Sequence, residues 1–307
     1  MFQKAVNAID ENKGVSKMKD DKVIDFTSSK TLVQAVDYVK GCGVFHKVYC
    51  HYTTLDGLEK IISSQRMRLT RCDSTKFDDL IEGKKYGDAE ARKRFFLASF
   101  SFSGAENAAM WGLYSPKNYK AIRIVVPCKA MEKWDAVLKN PRTLDVRIAH
   151  STCESGRQGK RIAASSGGIA DVIYASVKMG NDEKNRSNSL CWNDVHTPPI
   201  SNLDKGKNKK RVTGLVKDYE WRFEYEARVF VSTKKVGRFD AGTVPIPMPV
   251  FESMSFVLSP WVNDGEYKFV EGLIREWFQR ARINSSLPED RLFRKSVLTG
   301  GLKNLGK

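Results

Sequence analysis

Residues 221–231 read WRFEYEARVFV, and the odd positions Trp221, Phe223, Tyr225, Ala227, Val229 and Val231 are all apolar or aromatic. The even positions begin with four charges, Arg222, Glu224, Glu226 and Arg228. Strict alternation of this kind predicts a strand over 221–231 with one buried face. It also sets two glutamates one pleat apart on the other face. That face is either the solvated side of an antiparallel strand, with the arginines neutralising the acids, or the wall of a cleft. Two close carboxylates raise each other's pKa unless one is engaged, which favours the cleft.

The rest of the chain reads as short strands mixed with a few helices. SSKTLVQAVDYVKG (28–41) is helical, with Ser28 or Ser29 as cap and Gly41 as stop. VFHKVYCHYT (44–53) is a strand ending near His51. Thr53 and Asp56 then resemble a capping box for a helix whose apolar stripe is Leu55, Leu58, Ile61 and Ile62. FFLASFSF (95–102) is a strand, followed by a helix opened by Ser103 and Glu106, with Trp111 and Tyr114 one turn apart. Further strands are predicted at 120–127, 171–179 and 251–260, a long helix at 266–283, and a last strand at KSVLTG (295–300). The Gly-, Ser-, Asn- and Lys-rich intervals 140–170 and 181–215 read as loops or insertions. Without βαβ regularity, this order is α+β. Residues 1–45 form an N-terminal arm and helix in this reading, and 46–307 a single domain with a basic insertion around 181–215.

The 307 residues, 41% hydrophobic, suffice for a sizeable core. No run of 18 apolar residues occurs and the N-terminus lacks an apolar signal region, so a cytoplasmic protein is expected. Cysteines 42, 50, 72, 128, 153 and 191 and histidines 46, 51, 150 and 196 are dispersed without zinc spacing, so reduced thiols and no metal site are expected. Asp78, Asp79 and Glu82 are the nearest approach to an acidic cluster, and FDDLIEG more simply starts a helix or turn. Fifty-two Lys and Arg against 36 Asp and Glu give a net charge of +16, which favours a polyanionic partner. The densest basic run, KGKNKKR (205–211), is either a solvated loop or a phosphate-tracking patch through Lys205, Lys207, Lys209, Lys210 and Arg211. His51 is either a packed residue or a functional one. Trp111 and Tyr114 are either core or a wall for a flat ligand.

The ordered segments HYTTLDGLEKIISSQRMRLT, FDDLIEG, SFSFSGAENAAMWGLY, WRFEYEARVF and FVLSP together resemble a large bacterial family of unknown function. Its members carry an HYT start, an FND-like turn, an SFS…MW..Y segment and a W..E.E.R strand; Asp78 stands where that family usually has Asn. The same order is similar to the ADP-ribosyltransferase fold of the poly-ADP-ribose polymerase type, a split antiparallel β-sheet core with flanking helices. The resemblance implies NAD as co-substrate. It implies that His51 bonds the nicotinamide ribose and that the backbone at Tyr52 and Thr53 holds the nicotinamide amide. Phe100, Ser101 and Phe102 match the aromatic-bearing strand, and Trp111 and Tyr114 the following helix. Glu226 matches the catalytic glutamate that stabilises positive charge on the ribose, as carboxylates do in glycoside hydrolysis. Glu224 is the upstream acid of an ExE pair, as in the arginine-directed branch; a first-strand His with an ExE mixes two branches. No Gly-rich dinucleotide fingerprint is present, and this fold grips NAD without one. Arg68, Arg71 and Lys76 follow the first helix and could meet the pyrophosphate, or be ordinary surface bases.

Together with the charge, this makes RNA the expected acceptor, ahead of DNA or protein. Such an enzyme resembles the RNA-modifying toxin of a toxin–antitoxin–chaperone phage-defence system, which implies an antitoxin partner that could meet residues 1–45. Two other readings remain: an NAD glycohydrolase or protein-directed transferase on the same fold, and a non-enzymatic nucleic-acid-binding module with aromatic stacking platforms.

Overall fold

A computed structural model describes residues 26–74, 88–115, 117–149, 159–178, 187–198, 200, 209–235 and 239–299. Its strands, in chain order, are β1 (Val48–Thr54), β2 (Arg66–Arg71), β3 (Phe95–Ser101), β4 (Ala121–Pro127), β5 (Val146–Ile148), β6 (Arg161–Ile162), β7 (Ala164–Asp171) and β8 (Ile173–Lys178). They continue with β9 (Ser187–Trp192), β10 (Val195–His196), β11 (Val216–Asp218), β12 (Glu226–Thr233), β13 (Ala241–Pro245), β14 (Ser255–Leu258) and β15 (Phe293–Lys295). The principal helices are α1 (Leu32–Cys42), α2 (Leu55–Ser64), α3 (Ala108–Tyr114), α4 (Cys128–Leu138) and α5 (Asp264–Arg280). The architecture is α+β. An 11-stranded mixed sheet runs β15-β14-β4-β1-β3-β2-β13-β5-β6, with β12 joining β3 to β7, and a second sheet runs β10-β9-β8-β11.

The large sheet buries both faces. Phe96, Ala98, Phe100, Ala227, Val229 and Val231 pack against α2, α4 and α5 through Leu58, Ile62, Trp134, Val270 and Ile274. Phe95, Leu97, Ala170 and Phe230 point the other way and meet α1 and the second sheet through Val36, Val39, Ile173, Leu190 and Trp192. Residues 26–42 therefore contribute Phe26, Leu32, Val33 and Val36 to a core.

β3 opens the sheet. One edge pairs continuously with β12, from Ser101↔Glu226 to Phe95↔Ser232. The other edge is shared: β1 meets it at Cys50↔Ser101, and β2 at Leu97↔Thr70 and Phe96↔Arg71. Ala98, Ser99 and Phe100 fall between those contacts, so β1 and β2 diverge and leave a gap.

Several expectations need correction. The strand expected over 221–231 begins at Glu226; Tyr219–Glu224 is a 3₁₀ turn, and Tyr225, at φ 44°, is the left-handed pivot between them. The alternation was real over 226–231 alone, because the aromatic residues before it pack on other groups. His51 does not end β1 but lies within it, opposite Ile124 of β4. Helix caps shift as well. Thr31 caps α1 by accepting from the Gln34 N–H at 3.2 Å, in place of Ser28 or Ser29. Gly41 lies inside α1, and Gly43 at φ +64° follows its end. Thr54, not Thr53, caps α2 by accepting from the Gly57 N–H at 3.0 Å. Asn107, not Ser103, caps α3. The 251–260 strand shortens to β14, and the last strand is β15, ahead of most of KSVLTG.

The interval 140–170, expected as loop, holds β5, β6 and β7. Its glycines serve close approach: a Cβ on Gly167 would lie 2.7 Å from the Leu138 carbonyl at the end of α4. The Asp135 carboxylate of α4 accepts from the Ile169 N–H at 2.7 Å and fixes that contact. Likewise 187–212 carries β9, β10 and a short helix, Lys209–Val212.

Candidate functional site

A cavity of about 220 Å³ sits in the gap between β1 and β2. Its walls come from β1 (Cys50, His51, Tyr52), β2 (Arg68, Thr70) and β3 (Leu97 to Ser101). α3 adds Met110 and Tyr114, and Lys217, Glu224, Glu226 and Arg228 close it. Exposed Arg68 and Ser99 mark its mouth.

His51 reaches from β1 to β3 beside the gap: its Nδ1 lies 2.9 Å from the Ser99 carbonyl. A carbonyl accepts only, so Nδ1 carries the proton and Nε2 is left as acceptor when the ring is neutral. Burial pushes the His51 pKa below its ordinary value, against the raising effect of the Ser99 bond, which favours that neutral ring. Phe100 packs 5.1 Å from the imidazole, centroid to centroid.

The carboxylates form a buried network. Arg228 donates to both oxygens of Glu226, from Nε at 2.7 Å and Nη2 at 3.1 Å, and to the Gly214 carbonyl from Nη1 at 2.7 Å. Lys217 Nζ reaches Glu224 Oε2 at 2.5 Å and Glu226 Oε2 at 3.2 Å. The Tyr114 hydroxyl donates to Glu224 Oε1, and the Glu226 N–H donates to the Tyr174 hydroxyl oxygen at 2.9 Å. The two acids differ as a result. Burial would raise the Glu226 carboxyl, but Arg228 and Lys217 override it and hold it well below the ordinary range. Burial and the neighbouring Glu226 charge push Glu224 up to about 7, against the pull of Lys217 and Tyr114. The pair thus offers one ionised carboxylate and one that exchanges its proton near neutrality, a division suited to acid–base chemistry.

The sequence-predicted residues divide. His51, Tyr52, Phe100, Ser101, Tyr114, Glu224 and Glu226 line the one cavity. Thr53 is not among its lining residues. Phe102 turns away and stacks on His46 at 3.7 Å, with Tyr225 at 5.7 Å. Trp111 is fully buried, edge-on to Tyr52, with its Nε1 donating to Glu106 at 3.1 Å. Arg71 is engaged elsewhere, by Asp73 and by the Phe239 carbonyl at 2.9 Å. Arg68, three residues earlier on β2, stands at the mouth instead. Asp78 and Lys76, along with Lys205 and Lys207, lie outside the described residues. Lys209 opens the short helix, Lys210 is exposed, and Arg211 is ion-paired with Asp37 of α1. Sequence reasoning missed Lys217; Arg228 neutralises Glu226 as one sequence reading expected, but in a buried setting and not on a solvated face. Lys217 is a cation buried after an apolar run, GLVKD, and a charge at the end of such a run was the available signal.

Among the described residues no group of three or more His, Cys, Asp or Glu could hold a metal ion, and no helix is long and apolar enough to cross a membrane. Five of the cysteines, Cys42, Cys50, Cys72, Cys128 and Cys191, are free thiols. Compared with models of known protein families and with curated proteins, the chain matches none.

Proposed function

We propose that the protein is an NAD-dependent ADP-ribosyltransferase whose acceptor is a nucleic acid, RNA before DNA. The observation that carries this reading is the convergence of His51, Glu224 and Glu226, from separate parts of the chain, on one cavity at a split in the sheet. At about 220 Å³ the cavity is smaller than the roughly 300–1,000 Å³ usual for whole ligands. It suits a ring and its sugar, with the rest of a dinucleotide at the mouth beside Arg68. Bound NAD would supply a ribose joined to a cationic nicotinamide, a bond whose cleavage leaves positive charge on the sugar.

Against that charge the chain presents Glu226, ionised and fixed by Arg228. Neutral His51 offers Nε2 to a sugar hydroxyl, and Phe100 and Tyr52 bound the ring plane. Glu224, with its pKa at about 7, is matched to accept the proton of an attacking acceptor group at physiological pH. The net charge of +16 favours a polyanionic acceptor. Modification of RNA would make the protein toxic to its host and call for a neutralising partner, in keeping with a role in phage defence.

The test is incubation with NAD labelled in its adenylate, alongside total RNA, DNA or lysate protein. Label in RNA, lost in His51→Ala and Glu226→Gln, is the expected result. Label confined to protein ends the nucleic-acid reading. Free ADP-ribose alone makes water the acceptor. No nicotinamide release under any condition ends the transferase reading.

A further inference from the structure

Lys217 belongs to neither of the strands that frame the cavity. It comes from β11 of the second sheet, where it sits opposite Tyr174 of parallel β8. Its side chain leaves that sheet, passes over the Trp221 ring at 4.9 Å, and places Nζ between the two carboxylates. Lys217 is 5% exposed and Glu224 and Glu226 2% each, so water does not screen the three charges. Burying a lysine is costly unless it is paired, and here both partners are the acids of the candidate site.

We propose that Lys217 is the positioning residue of the carboxylate pair: its ammonium holds Glu224 and Glu226 side by side, facing the cavity, and offsets their repulsion. This inference rests on the transferase reading for its consequence in catalysis, though not for the clamp itself. The charged and titratable groups facing the pair are Arg228 beside Glu226 on β12, Tyr114 from α3, Tyr174 from β8, His51 from β1 and Arg68 from β2. Arg228 spends its fork on Glu226 and the Gly214 carbonyl. With Lys217 gone, Glu224 keeps the Tyr114 hydroxyl but faces the Glu226 charge without a bridging cation. It would then hold its proton to higher pH, or swing out of the cavity. The second sheet would thereby contribute to catalysis by positioning the two acids.

The experiment compares Lys217→Met, Lys217→Arg, Glu224→Gln and the double variant Lys217→Met/Glu224→Gln in the full-length protein. The first readout is thermal unfolding at pH 8, which needs no NAD. Lys217→Met should lose stability, and Glu224→Gln should gain more in the Lys217→Met background than it gains in the wild type, because there it removes a charge that no ammonium offsets. If Lys217→Met does not fold, recovery of folded protein in the double variant is the same result. An equal gain from Glu224→Gln in both backgrounds, or a double variant that also fails to fold, overturns the clamp.

The second readout is nicotinamide release against pH. Lys217→Met should lower kcat at least tenfold with KM little changed and move the acid limb upward by about one pH unit. Lys217→Arg should recover most of both. A uniform loss with the limb unmoved would mean a merely structural role and overturn the proposal. If the wild type releases no nicotinamide, the transferase reading fails, and the unfolding comparison alone decides the role of Lys217.

Discussion

Glu224→Gln should stabilise the protein at pH 8, although it removes a buried ion pair. In the native state the Glu224 carboxyl sits at about 7, above its ordinary 4.5, because of burial and the adjacent Glu226. Between those values the unfolded chain releases its proton while the native state keeps it. Stability therefore falls as pH rises through that window and stays depressed above pH 7. At about 1.4 kcal/mol per pH unit, the ionised side chain costs the fold about 3 kcal/mol above neutrality. That figure is a ceiling on the gain, since glutamine holds the Lys217 ammonium less well than a carboxylate. In a chain of this size it corresponds to about 5 °C in Tm. Glutamine has nearly the same shape and still offers Tyr114 an acceptor, so packing is conserved. The measurement is Tm of both proteins from pH 4.5 to 8. The difference should be near zero at the acid end and widen in favour of the variant up to pH 7. A variant less stable than wild type at pH 8, or a difference that does not vary with pH, would refute the assignment of opposed roles to the two acids.

Arg228→Met should cost about 3–5 kcal/mol in urea unfolding, since it leaves Glu226 buried without its bidentate partner. Gly167→Ala should cost about 1–3 kcal/mol, because the new Cβ would stand 2.7 Å from the Leu138 carbonyl and 3.2 Å from that of Phe230, forcing β7 away from α4. Its nicotinamide release at saturating NAD should stay unchanged. Glu106 accepts from Trp111 Nε1, from the Ser296 hydroxyl and from the Val297 N–H at 3.0 Å. Glu106→Ala should lower stability by about 1–3 kcal/mol and speed amide exchange at 296–299, read by mass spectrometry.

The elements most legible in the sequence were those whose pattern and packing agree. β3 and β4 are short apolar runs of strands buried on both faces, α2 carries its apolar residues at the helical period, and each is expected within a residue or two. The misreadings have specific physical causes. Trp221, Phe223 and Tyr225 continue the alternation of β12 backwards in sequence, but Trp221 packs on the second sheet and Phe223 beside Trp111. One left-handed residue, Tyr225, lets the chain turn between the glutamates, and a two-residue period carries no sign of it. β7, ASSGGIAD, looked like loop because its glycines were read as flexibility; they are there so that a helix end can approach the strand. Arg68 and Arg71 are equivalent in the sequence, and only the fold separates them: Arg71 is held by Asp73 and the Phe239 carbonyl, while Arg68 lines the cavity.

The turn at Tyr225 also explains why the two glutamates of one cavity have different surroundings. On a continuous strand, residues 224 and 226 would project from one face about two rises apart, roughly 6–7 Å along the strand, with parallel side chains. Here Glu226 begins β12 opposite Ser101, while Glu224 ends a 3₁₀ turn that also carries Trp221 over Lys217. The break brings Glu224 Oε2 and Glu226 Oε2 within reach of a single ammonium, at 2.5 and 3.2 Å. It gives the acids different surroundings, one against Tyr114 of α3 and the other in the fork of Arg228. Opposed pKa values follow from that asymmetry, and two equivalent positions on a regular strand would not produce it. The division between the two acids therefore depends on the departure from the alternating pattern that first marked the segment.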